Sequence, residues 1–491
     1  MSKKEVSPQP DFVYDPEKHN PQSTTKELRK SDFVFDPKDP DSSSHLSNDF
    51  SDLQPPAKPR WRKVMKVILI ILGVLGIIAA AIGLYLYLTA GKISTNPFGF
   101  GKLKGEADGR VNILLLGIGD PGHAGETLAD TNMVVSINTK TNPAQVAMVS
   151  LPRDLQVKID GDGEGKLNEA HAFGEQQNPP NGIATSQKTI EETLGIPIHY
   201  YVRANFSGLK EAVDAVGGVD INVQDALIDP EYPCEKNEGK SCGLKIMPGQ
   251  QHMDGATALK YARCRKGTCG DDFGRALRQQ EVLTAVRDKV LSLQTLSNPS
   301  KVSQLISAAS NNIKTDLSLN NIQRLQQLTK DTNKNDFVNV VFSLKPNGFL
   351  VSSKTSSNLL PAGGSFEDIQ KFVANIFTLG PIWKEDSNMT VLNGTSTVGL
   401  SLKFEKYLSA NAIPITVESI GNAETKDYTT SQIIDYTGST KPNTAKYLAD
   451  LLGVQVTQPA QPVKNPVVDF EVILGTDYVT KTTSAATSDT Q

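Results

Sequence analysis

The chain has 491 residues, of which 38% are hydrophobic, and its 50 basic and 54 acidic side chains leave a formal net charge of −4. This length excludes a single small domain and predicts two or three domains. The near-neutral net charge by itself says nothing about nucleic acid.

The first 57 residues are rich in Ser, Pro, Asp and Lys and lack apolar periodicity, so we predict a disordered cytoplasmic tail. Within this tail, residues 11–16 (DFVYDP) return as residues 32–37 (DFVFDP). Two apolar-aromatic clusters in a solvated tail are a candidate bivalent motif for a cytoplasmic partner. A duplication without function is the alternative.

Residues 67–90 form an apolar run without a charged side chain. At about 1.5 Å per residue, a helix of this length crosses a hydrocarbon core of about 30 Å. Five basic residues lie within residues 58–66, whereas Lys92 is the only one close behind the run. The positive-inside rule therefore predicts a single-pass type II protein of the cell membrane, with residues after about 91 outside the cytoplasm. We divide this part into a basic flank and transmembrane helix (58–91) and a stalk (92–108).

Residues 109–380 alternate predicted strands with predicted helices, which indicates an α/β/α sandwich. The first strand is a nearly continuous apolar run of the kind that is buried on both faces. The predicted strands are residues 111–117, 133–138, 145–151, 219–223, 337–344 and 349–353. The predicted helices are residues 185–194, 206–216, 273–293 and 366–377, a helix capped by Asp254 that ends at 260 or 261, and two weak patterns within 301–332.

A second, smaller α/β domain is predicted over residues 386–478, and it has no candidate catalytic cluster. Its predicted strands are residues 389–393, 415–420, 431–436 and 467–473, and its predicted helices are residues 398–410 and 444–452. Residues 479–491 are a polar tail that we predict to be disordered.

All four cysteines follow the predicted membrane span. Their close spacing suggests two local disulfides, Cys234–Cys242 and Cys264–Cys269, in an oxidising compartment. Free thiols or a zinc site are the alternatives. No histidine lies at ligand spacing, which argues against zinc.

Two short arginine blocks, residues 261–265 (YARCR) and 272–280 (DFGRALRQQ), are candidates for a phosphate site. On an extended segment, Arg263 and Arg265 would point to the same side. A helix would place Arg275, Arg278 and Gln279 on one face, with Leu277 toward the core. Arginine forks bind phosphate oxygens in pairs, as a diphosphate requires. The alternative is a solvated face, or ion pairs with Asp271 and Asp272.

Together with other blocks, these arginines resemble the LytR-CpsA-Psr family. The resemblance covers residues 110–380, more than half of the chain, and it is specific because the blocks recur in the order found in the family. They are residues 112–117 (NILLLG), 151–154 (LPRD), 165–168 (GKLN), 195–201 (GIPIHYY), 217–220 (GGVD) and the two arginine blocks. Residues 386–478 are similar to the small C-terminal domain often fused to this family. Members are membrane-anchored phosphotransferases that move glycopolymers from polyprenyl diphosphate carriers to the bacterial cell wall.

The resemblance implies roles for particular side chains. Asp130 would hold Mg²⁺, or Mn²⁺, against the diphosphate. Lys166 and Gln279 would donate hydrogen bonds, and Asp154 or Asp272 would orient an arginine or accept the proton of an attacking sugar hydroxyl. Phosphate oxygens would be clamped by Arg153, Arg263, Arg265, Arg275 and Arg278.

The chain departs from the family pattern after the first strand. Members usually carry a Gly-Ser-Asp triplet there, whereas this chain reads Gly117-Ile118-Gly119, and Asp120 comes one residue late. Leu128 stands where many members have arginine. Either Asp120 joins Asp130 as a metal ligand or one acid is lost, and His123 is a candidate replacement donor.

The sequence therefore predicts a membrane-anchored phosphotransferase that acts outside the cytoplasm. Its donor would be a polyprenyl-diphosphate-linked glycopolymer and its acceptor peptidoglycan or a similar polymer. A non-catalytic protein that binds envelope polymers or lipid phosphates is the first alternative. Transcription regulation is the second, and it is opposed by the predicted topology and by a tail without a helix-turn-helix pattern or basic domain. We expect no nucleic-acid partner.

Overall fold

The computed structural model describes residues 101–234, 237–291, 312–344, 348–459 and 466–480. The tail repeat, the predicted membrane span and the residues after 480 lie outside these ranges. None of the described helices combines the length and the apolar character that crossing a bilayer requires.

The larger domain alternates strands and helices as its sequence predicts. Its first half comprises β1 (Arg110–Gly117), β2 (Thr131–Asn138), β3 (Gln145–Leu151), β4 (Gln156–Ile159), β5 (Gly163–Lys166), α1 (Glu169–Glu175), α2 (Gly182–Leu194), β6 (Tyr200–Ala204) and α3 (Phe206–Ala215). A run of short strands follows: β7 (Val219–Val223), β8 (Leu227–Asp229), β9 (Pro233–Cys234), β10 (Asn237–Ser241), β11 (Leu244–Ile246) and β12 (Gly249–Met253). The domain closes with α4 (Gly255–Arg263), α5 (Asp271–Leu291), β13 (Ile313–Thr315), α6 (Leu319–Thr329), β14 (Val338–Val341), β15 (Leu350–Ser352), β16 (Leu359–Pro361), α7 (Glu367–Ala374) and α8 (Ile376–Glu385).

A six-stranded mixed sheet in the order β13-β6-β1-β2-β3-β14 organises this domain. Strand β1 is parallel to β6, and β3 is parallel to β14. Strand β2 lies between β1 and β3 and is antiparallel to both, so β1 and β3 run in the same direction. The carboxyl ends of β6, β1, β3 and β14 therefore open on one edge of the sheet, which is where ligands bind in open α/β sheets.

Alternate residues of the central strands face two separate cores, as the apolar run in β1 predicts. Leu114 packs in the core that contains Ile190 of α2 and Phe372 of α7. Ile113 faces the opposite core, against which Leu283 of α5 packs. Helices therefore cover both faces of the sheet, and the predicted α/β/α sandwich is confirmed.

The C-terminal domain contains a five-stranded sheet in the order β18-β17-β21-β19-β20. Its elements are β17 (Ser387–Asn393), α9 (Leu400–Ala410), β18 (Ile415–Asn422), β19 (Gln432–Asp435), α10 (Pro442–Leu452), β20 (Val456–Thr457) and β21 (Phe470–Leu474). The hydrophobic core runs from α7 and α8 into this sheet without interruption. Glu385 at the end of α8 accepts a hydrogen bond from the backbone N–H of Thr444 (2.7 Å), which satisfies a donor in the first turn of α10.

Several predicted details differ from the structure. The β4–β5 hairpin and β6 were not predicted, and the predicted helix 366–377 is two helices, α7 and α8. Arg263 ends helix α4, so it does not lie on an extended segment with Arg265. Leu277 is 47% exposed and does not face the core. Of the region 301–332, the structure describes only residues 312–332, which contain α6.

Candidate active site

The carboxyl edge of the sheet brings together side chains that are far apart in the sequence. Asp130 immediately precedes β2, at the point where Gly117 pairs with Thr131. A Cβ atom at Gly117 would lie 2.8 Å from the Thr131 side chain, so a glycine is needed for this close approach. Arg153 and Asp154 directly follow β3, and Lys166 ends β5. Three turns therefore deliver two acids and two cations to one place.

Arg153 is the centre of this cluster. Its Nη1 lies 3.1 Å from Asp130 Oδ1, and its Nε lies 3.3 Å from Asp272 Oδ2 and 3.6 Å from Asp154 Oδ2. Burial lowers the pKa of Arg153, but the carboxylates of Asp130 and Asp272 outweigh that effect and raise it above its usual value. The guanidinium is therefore a permanent positive charge at the sheet edge.

Asp272, in the first turn of α5, also forms ion pairs with two further arginines. Arg275 Nη1 lies 3.1 Å from Asp272 Oδ1, and Arg265 Nη1 lies 3.8 Å from the same oxygen. Arg275 Nη2 also donates to the backbone oxygen of Asp130 (3.4 Å). Burial lowers the pKa of Arg275, partly offset by Asp272. Three guanidinium groups thus converge on one carboxylate.

Lys166 and Asp154 form the second charged pair of the site. Lys166 Nζ lies 2.7 Å from Asp154 Oδ1 and donates to Ser357 Oγ at 3.0 Å. Asp154 is therefore shared between Arg153 and Lys166. Ser357 was not predicted as a site residue, because no motif in the sequence distinguishes it from other loop serines.

Arg263 contacts aromatic side chains within the described part of the chain. Its guanidinium carbon lies 4.1 Å from the centroid of the Phe206 ring, within the range of a cation–π interaction. His123 packs edge-on against the same ring (5.1 Å between centroids), and its Nε2 lies 3.5 Å from Arg263 Nη2. The loop that departs from the family pattern thus contacts a predicted phosphate ligand through His123.

Asp120, predicted as a second metal ligand, has both carboxylate oxygens bound at the start of α3. Oδ1 accepts from the backbone N–H of Ser207 (2.8 Å), and Oδ2 accepts from the Ser207 hydroxyl (2.9 Å). A carboxylate at a helix N-terminus satisfies an orphan donor and complements the helix dipole. This arrangement favours the alternative in which one acid of the family pattern is lost.

Arg278 was predicted to bind phosphate, but in the structure it binds backbone carbonyl oxygens. It is 7% exposed, and its nitrogens donate to three backbone carbonyl oxygens: Nε to Tyr261 (3.0 Å), Nη1 to Cys269 (2.7 Å) and Nη2 to Cys264. The guanidinium therefore supports the loop that carries Arg265. Gln279, on the neighbouring helix position, is half-buried.

Gln280 and Asn168 contribute to the site but were not predicted to do so. Gln280 is fully buried, and its Nε2 donates to Ser150 Oγ (2.8 Å) and to the backbone oxygen of Val340 (3.1 Å), which fixes α5 against β3 and β14. Asn168 is 7% exposed and donates from Nδ2 to Asp130 Oδ1 at 3.4 Å. Its backbone N–H donates to the oxygen of Arg153 (3.1 Å). Asn168 is the last residue of the GKLN block (residues 165–168), so that block could have identified it as a site residue.

Both predicted disulfides, Cys234–Cys242 and Cys264–Cys269, are present in the structure. The Cys264–Cys269 bridge closes the loop that carries Arg265. Within the described ranges, the only group of three potential metal-binding side chains is Asp229, Cys264 and Cys269. Its two sulfurs are joined to each other, so these cysteines are not free thiolates for zinc.

The donor atoms beside Asp130 fit a hard divalent cation. Asp130 Oδ1 accepts from Arg153 and Asn168, whereas Oδ2 forms no hydrogen bond or ion pair within the described part of the chain. Asn168 Oδ1 is buried and has no hydrogen-bond partner among the described residues. Carboxylate and amide oxygens are ligands that Mg²⁺ and Mn²⁺ accept, and one or two carboxylates suffice when phosphate oxygens complete the shell.

Comparison with known proteins gives two family matches. Residues 87–357 match the LytR-CpsA-Psr family, and residues 386–478 match a domain described as LytR cell envelope-related transcriptional attenuator. The chain is 36% identical over 217 residues to TagU of Enterococcus faecalis, a polyisoprenyl-teichoic acid–peptidoglycan teichoic acid transferase. That match covers 44% of this chain and 64% of the relative.

A second TagU relative and a solved structure are also similar to the chain. TagU of Bacillus mycoides is 36% identical over 226 residues, which cover 46% of this chain and 66% of the relative. The crystal structure of TagV from B. subtilis shares 27% identity at a TM-score of 0.44, and the match covers 55% of this chain and 97% of that chain. The chain thus spans somewhat less than two thirds of the length of these TagU relatives.

Proposed function

The chain belongs to the LytR-CpsA-Psr family, and from this premise we propose that it is a phosphotransferase of the bacterial cell envelope. The donor is a glycopolymer linked to a polyprenyl diphosphate, and the acceptor is peptidoglycan or a similar wall polymer. The names of the TagU relatives support this choice of substrates. Anchorage by residues 67–90, with the catalytic domain outside the cytoplasm, belongs to the same proposal and rests on the sequence.

One observation carries the proposal: Arg153, Arg265 and Arg275 converge on Asp272 at the carboxyl edge of the sheet. A guanidinium can bind two oxygens of a phosphate as it binds the two oxygens of a carboxylate, so a diphosphate can take over guanidinium contacts that Asp272 and Asp130 hold in its absence. The carboxylates therefore preorganise the arginines for an anionic substrate. Preorganised positive charge in a partly buried site stabilises the charge that develops during phosphoryl transfer.

The reaction forms one P–O bond and breaks another. A hydroxyl oxygen of the acceptor attacks the sugar-linked phosphorus, the bond from this phosphorus to the bridging oxygen breaks, and polyprenyl phosphate leaves with the electron pair. The hydroxyl proton passes to a carboxylate. Asp272 is engaged by three arginines, so we assign it to orientation, and we assign proton acceptance to Asp154. Lys166, 2.7 Å from Asp154, holds that carboxylate toward the site.

Asp130 and Asn168 would hold a Mg²⁺ or Mn²⁺ ion, which would neutralise diphosphate charge when bound. Arg263, Arg265, Arg275 and Gln279 are the proposed substrate contacts, and Arg153 bridges them to Asp130. Arg278 keeps Arg265 in place through the backbone of its loop.

The test uses the full chain in detergent with a polyprenyl-diphosphate-linked glycopolymer and isolated peptidoglycan. We expect transfer to depend on Arg153, and Arg153→Ala to lower the rate about 30- to 1,000-fold, because a contact made mainly in the transition state is worth roughly 2–4 kcal/mol. Arg324→Ala is the matched control, since it removes an arginine–carboxylate pair (with Glu106) outside the site. Tight binding of the lipid without any transfer by the unmodified chain would instead establish the non-catalytic binding protein.

A further inference from the structure

A cavity of about 260 Å³ lies between the larger domain and the C-terminal domain, away from the arginine cluster. One wall comes from α7, α8 and the chain next to β15 and β16, and the other comes from α9 and β18. Drug-sized ligands usually occupy about 300–1,000 Å³, so this cavity suits a single side chain rather than a polymer.

The cavity is lined by aromatic, aliphatic and acidic side chains. Phe349 and Trp383 stack with their ring centroids 5.3 Å apart and planes 11° apart, and Ile413 and Val417 line the same cavity. Asp368 and Glu405 contribute carboxylates, one from each domain, and none of the lining residues is basic. A cavity lined by apolar and acidic side chains without a basic residue is complementary to an aliphatic chain that ends in a cation.

Neither carboxylate is neutralised within the described part of the protein. Asp368 and Glu405 are half-buried, and no ion pair or side-chain hydrogen bond is formed by either among the described residues. Lys371, the nearest cation along α7, pairs with Glu367 (2.7 Å) and donates to the backbone oxygen of Ala410 (3.0 Å). Half-buried carboxylates without a partner lose hydration without compensation, and a bound cation would supply it.

Gly363 makes room for one of these acids. A Cβ atom at position 363 would lie 2.8 Å from Asp368 Oδ2, so any other residue there would displace the carboxylate.

The cavity is also connected to the proposed active site. The turn end of the β15–β16 hairpin lies beside Asp154, whose backbone oxygen accepts from the N–H of Leu359 (2.9 Å). The same hairpin ends at the cavity, where the N–H of Ala362 donates to the oxygen of Phe349 (2.8 Å). At about 3.4 Å per residue, the step from Leu359 to Gly363 spans about 14 Å. An extended acceptor could therefore reach both places.

We propose that this cavity binds a lysine-type side chain of a peptide carried by the acceptor polymer. The ammonium group would lie between Asp368 and Glu405, and the methylene chain would lie against Phe349 and Trp383. That the peptide belongs to the acceptor rests on the proposed transferase function; the binding of a lysine-type side chain does not.

The test titrates the full chain in detergent with Nα-acetyl-lysine amide, followed by saturation-transfer NMR and calorimetry. The control ligands are Nα-acetyl-norleucine amide, which lacks the ammonium, Nα,Nε-diacetyl-lysine amide, which lacks its charge, N-acetylglucosamine and Ca²⁺. We expect binding of the lysine amide alone. Asp368→Asn and Glu405→Gln should each weaken it about tenfold, because a hydrogen bond to a charged group contributes at least that factor.

Glu424→Gln is the matched control, since Glu424 is an exposed acid of the C-terminal domain outside the cavity lining. Both cavity variants are isosteric, and unchanged melting temperatures would show that they fold. No binding of the lysine amide, equal binding of norleucine amide or the sugar, or binding of Ca²⁺ in its place would overturn the proposal. Arg153→Ala separates the two hypotheses: it should lower transfer about 30- to 1,000-fold and leave lysine amide binding unchanged. Lysine binding by a chain without transferase activity would refute the function and retain the site.

Discussion

Two arginines three residues apart on α5 belong to different regions of the molecule. Arg275 faces the cleft at the sheet edge, where its partner is the carboxylate of Asp272 (3.1 Å). Arg278 faces the loop closed by Cys264 and Cys269, where its partners are backbone carbonyl oxygens. Both are largely buried, and burial lowers the pKa of both. Burial and charge alone therefore do not distinguish a substrate-binding arginine from a structural one.

Arg275 and Arg278 differ in the group that accepts their hydrogen bonds. A backbone carbonyl is part of the fold, so an arginine that satisfies several carbonyls cannot be released without leaving buried acceptors unpaired. A side-chain carboxylate can turn away and leave its arginine to a phosphate, which a guanidinium also binds through two oxygens. We infer that the arginines of the cleft can exchange a carboxylate for a phosphate, whereas Arg278 stays bound to the loop closed by Cys264 and Cys269. Five predictions test this comparison.

The largest expected effect is on catalysis by the cleft. Arg275→Ala should lower the transfer rate up to about 1,000-fold, because a charge-assisted contact in a partly buried site is lost. Arg275→Lys should restore only part of the rate, since an ammonium cannot form the paired contacts of a guanidinium. Transfer kinetics and thermal unfolding of the same samples check this. A wild-type rate in the alanine variant would show that Arg275 does not contribute to transfer.

Asp130→Asn should lower metal-dependent transfer by about 100-fold, because it keeps the shape and removes the charge that a divalent cation requires. Binding of the lipid diphosphate should change little, since the arginines remain. Rates measured with added Mg²⁺ and with a chelator provide the check. Full activity of the variant in chelator would rule out metal assistance.

Arg278→Met should act on stability first. We expect the free energy of unfolding to fall by about 3 kcal/mol, because the carbonyl oxygens of Tyr261, Cys264 and Cys269 lose their donor. Chemical denaturation measures the loss, and the rate per folded molecule should fall less than in Arg275→Ala. An unchanged unfolding midpoint combined with a catalytic defect as large as that of Arg275→Ala would place Arg278 among the substrate contacts after all.

Reduction of Cys264–Cys269 should lower activity several-fold with a smaller effect on the melting temperature. The bridge closes a loop of only a few residues, so it constrains the unfolded chain modestly, by about 2 kcal/mol at most. Its main effect should be on the position of Arg265. Mass spectrometry of alkylated protein reports the redox state, and Cys264 found as a free thiol in protein purified without reductant would contradict the prediction.

Asp120→Asn should have the smallest effect, at most about threefold on transfer, because both oxygens already bind Ser207 and an amide oxygen can replace one of them. The comparison with Asp130→Asn is the measurement that matters. If the two variants lost activity equally, Asp120 would be a metal ligand in the working enzyme.

The elements of the larger domain show where local signals sufficed. The apolar run of β1 is buried on both faces, β3 and β7 have the predicted bounds, and Asp254 caps α4 by accepting from the N–H of Thr257 (2.8 Å). These features depend on side chains within a few positions of one another, so their pattern is legible in the sequence. The β4–β5 hairpin contains Gly163 and Gly165 and has little apolar alternation, and its pairing depends on neighbours instead.

The sequence by itself determined which functional groups are available: the two arginine blocks, the acids that follow strands, and the cysteines whose close spacing predicts two local disulfides. Only the tertiary structure decided which of these groups meet. Arg278, which is adjacent to Gln279 in the sequence, donates to carbonyl oxygens of the backbone. Asp120 accepts from the start of α3, whereas Asp130 accepts from Arg153. The physical reason is that a side chain's partners are set by strands and helices that lie far away in sequence, and sequence spacing carries no information about them. The same holds for Asp368 and Glu405, two unremarkable acids that become a candidate site only because α7 and α9 face one cavity.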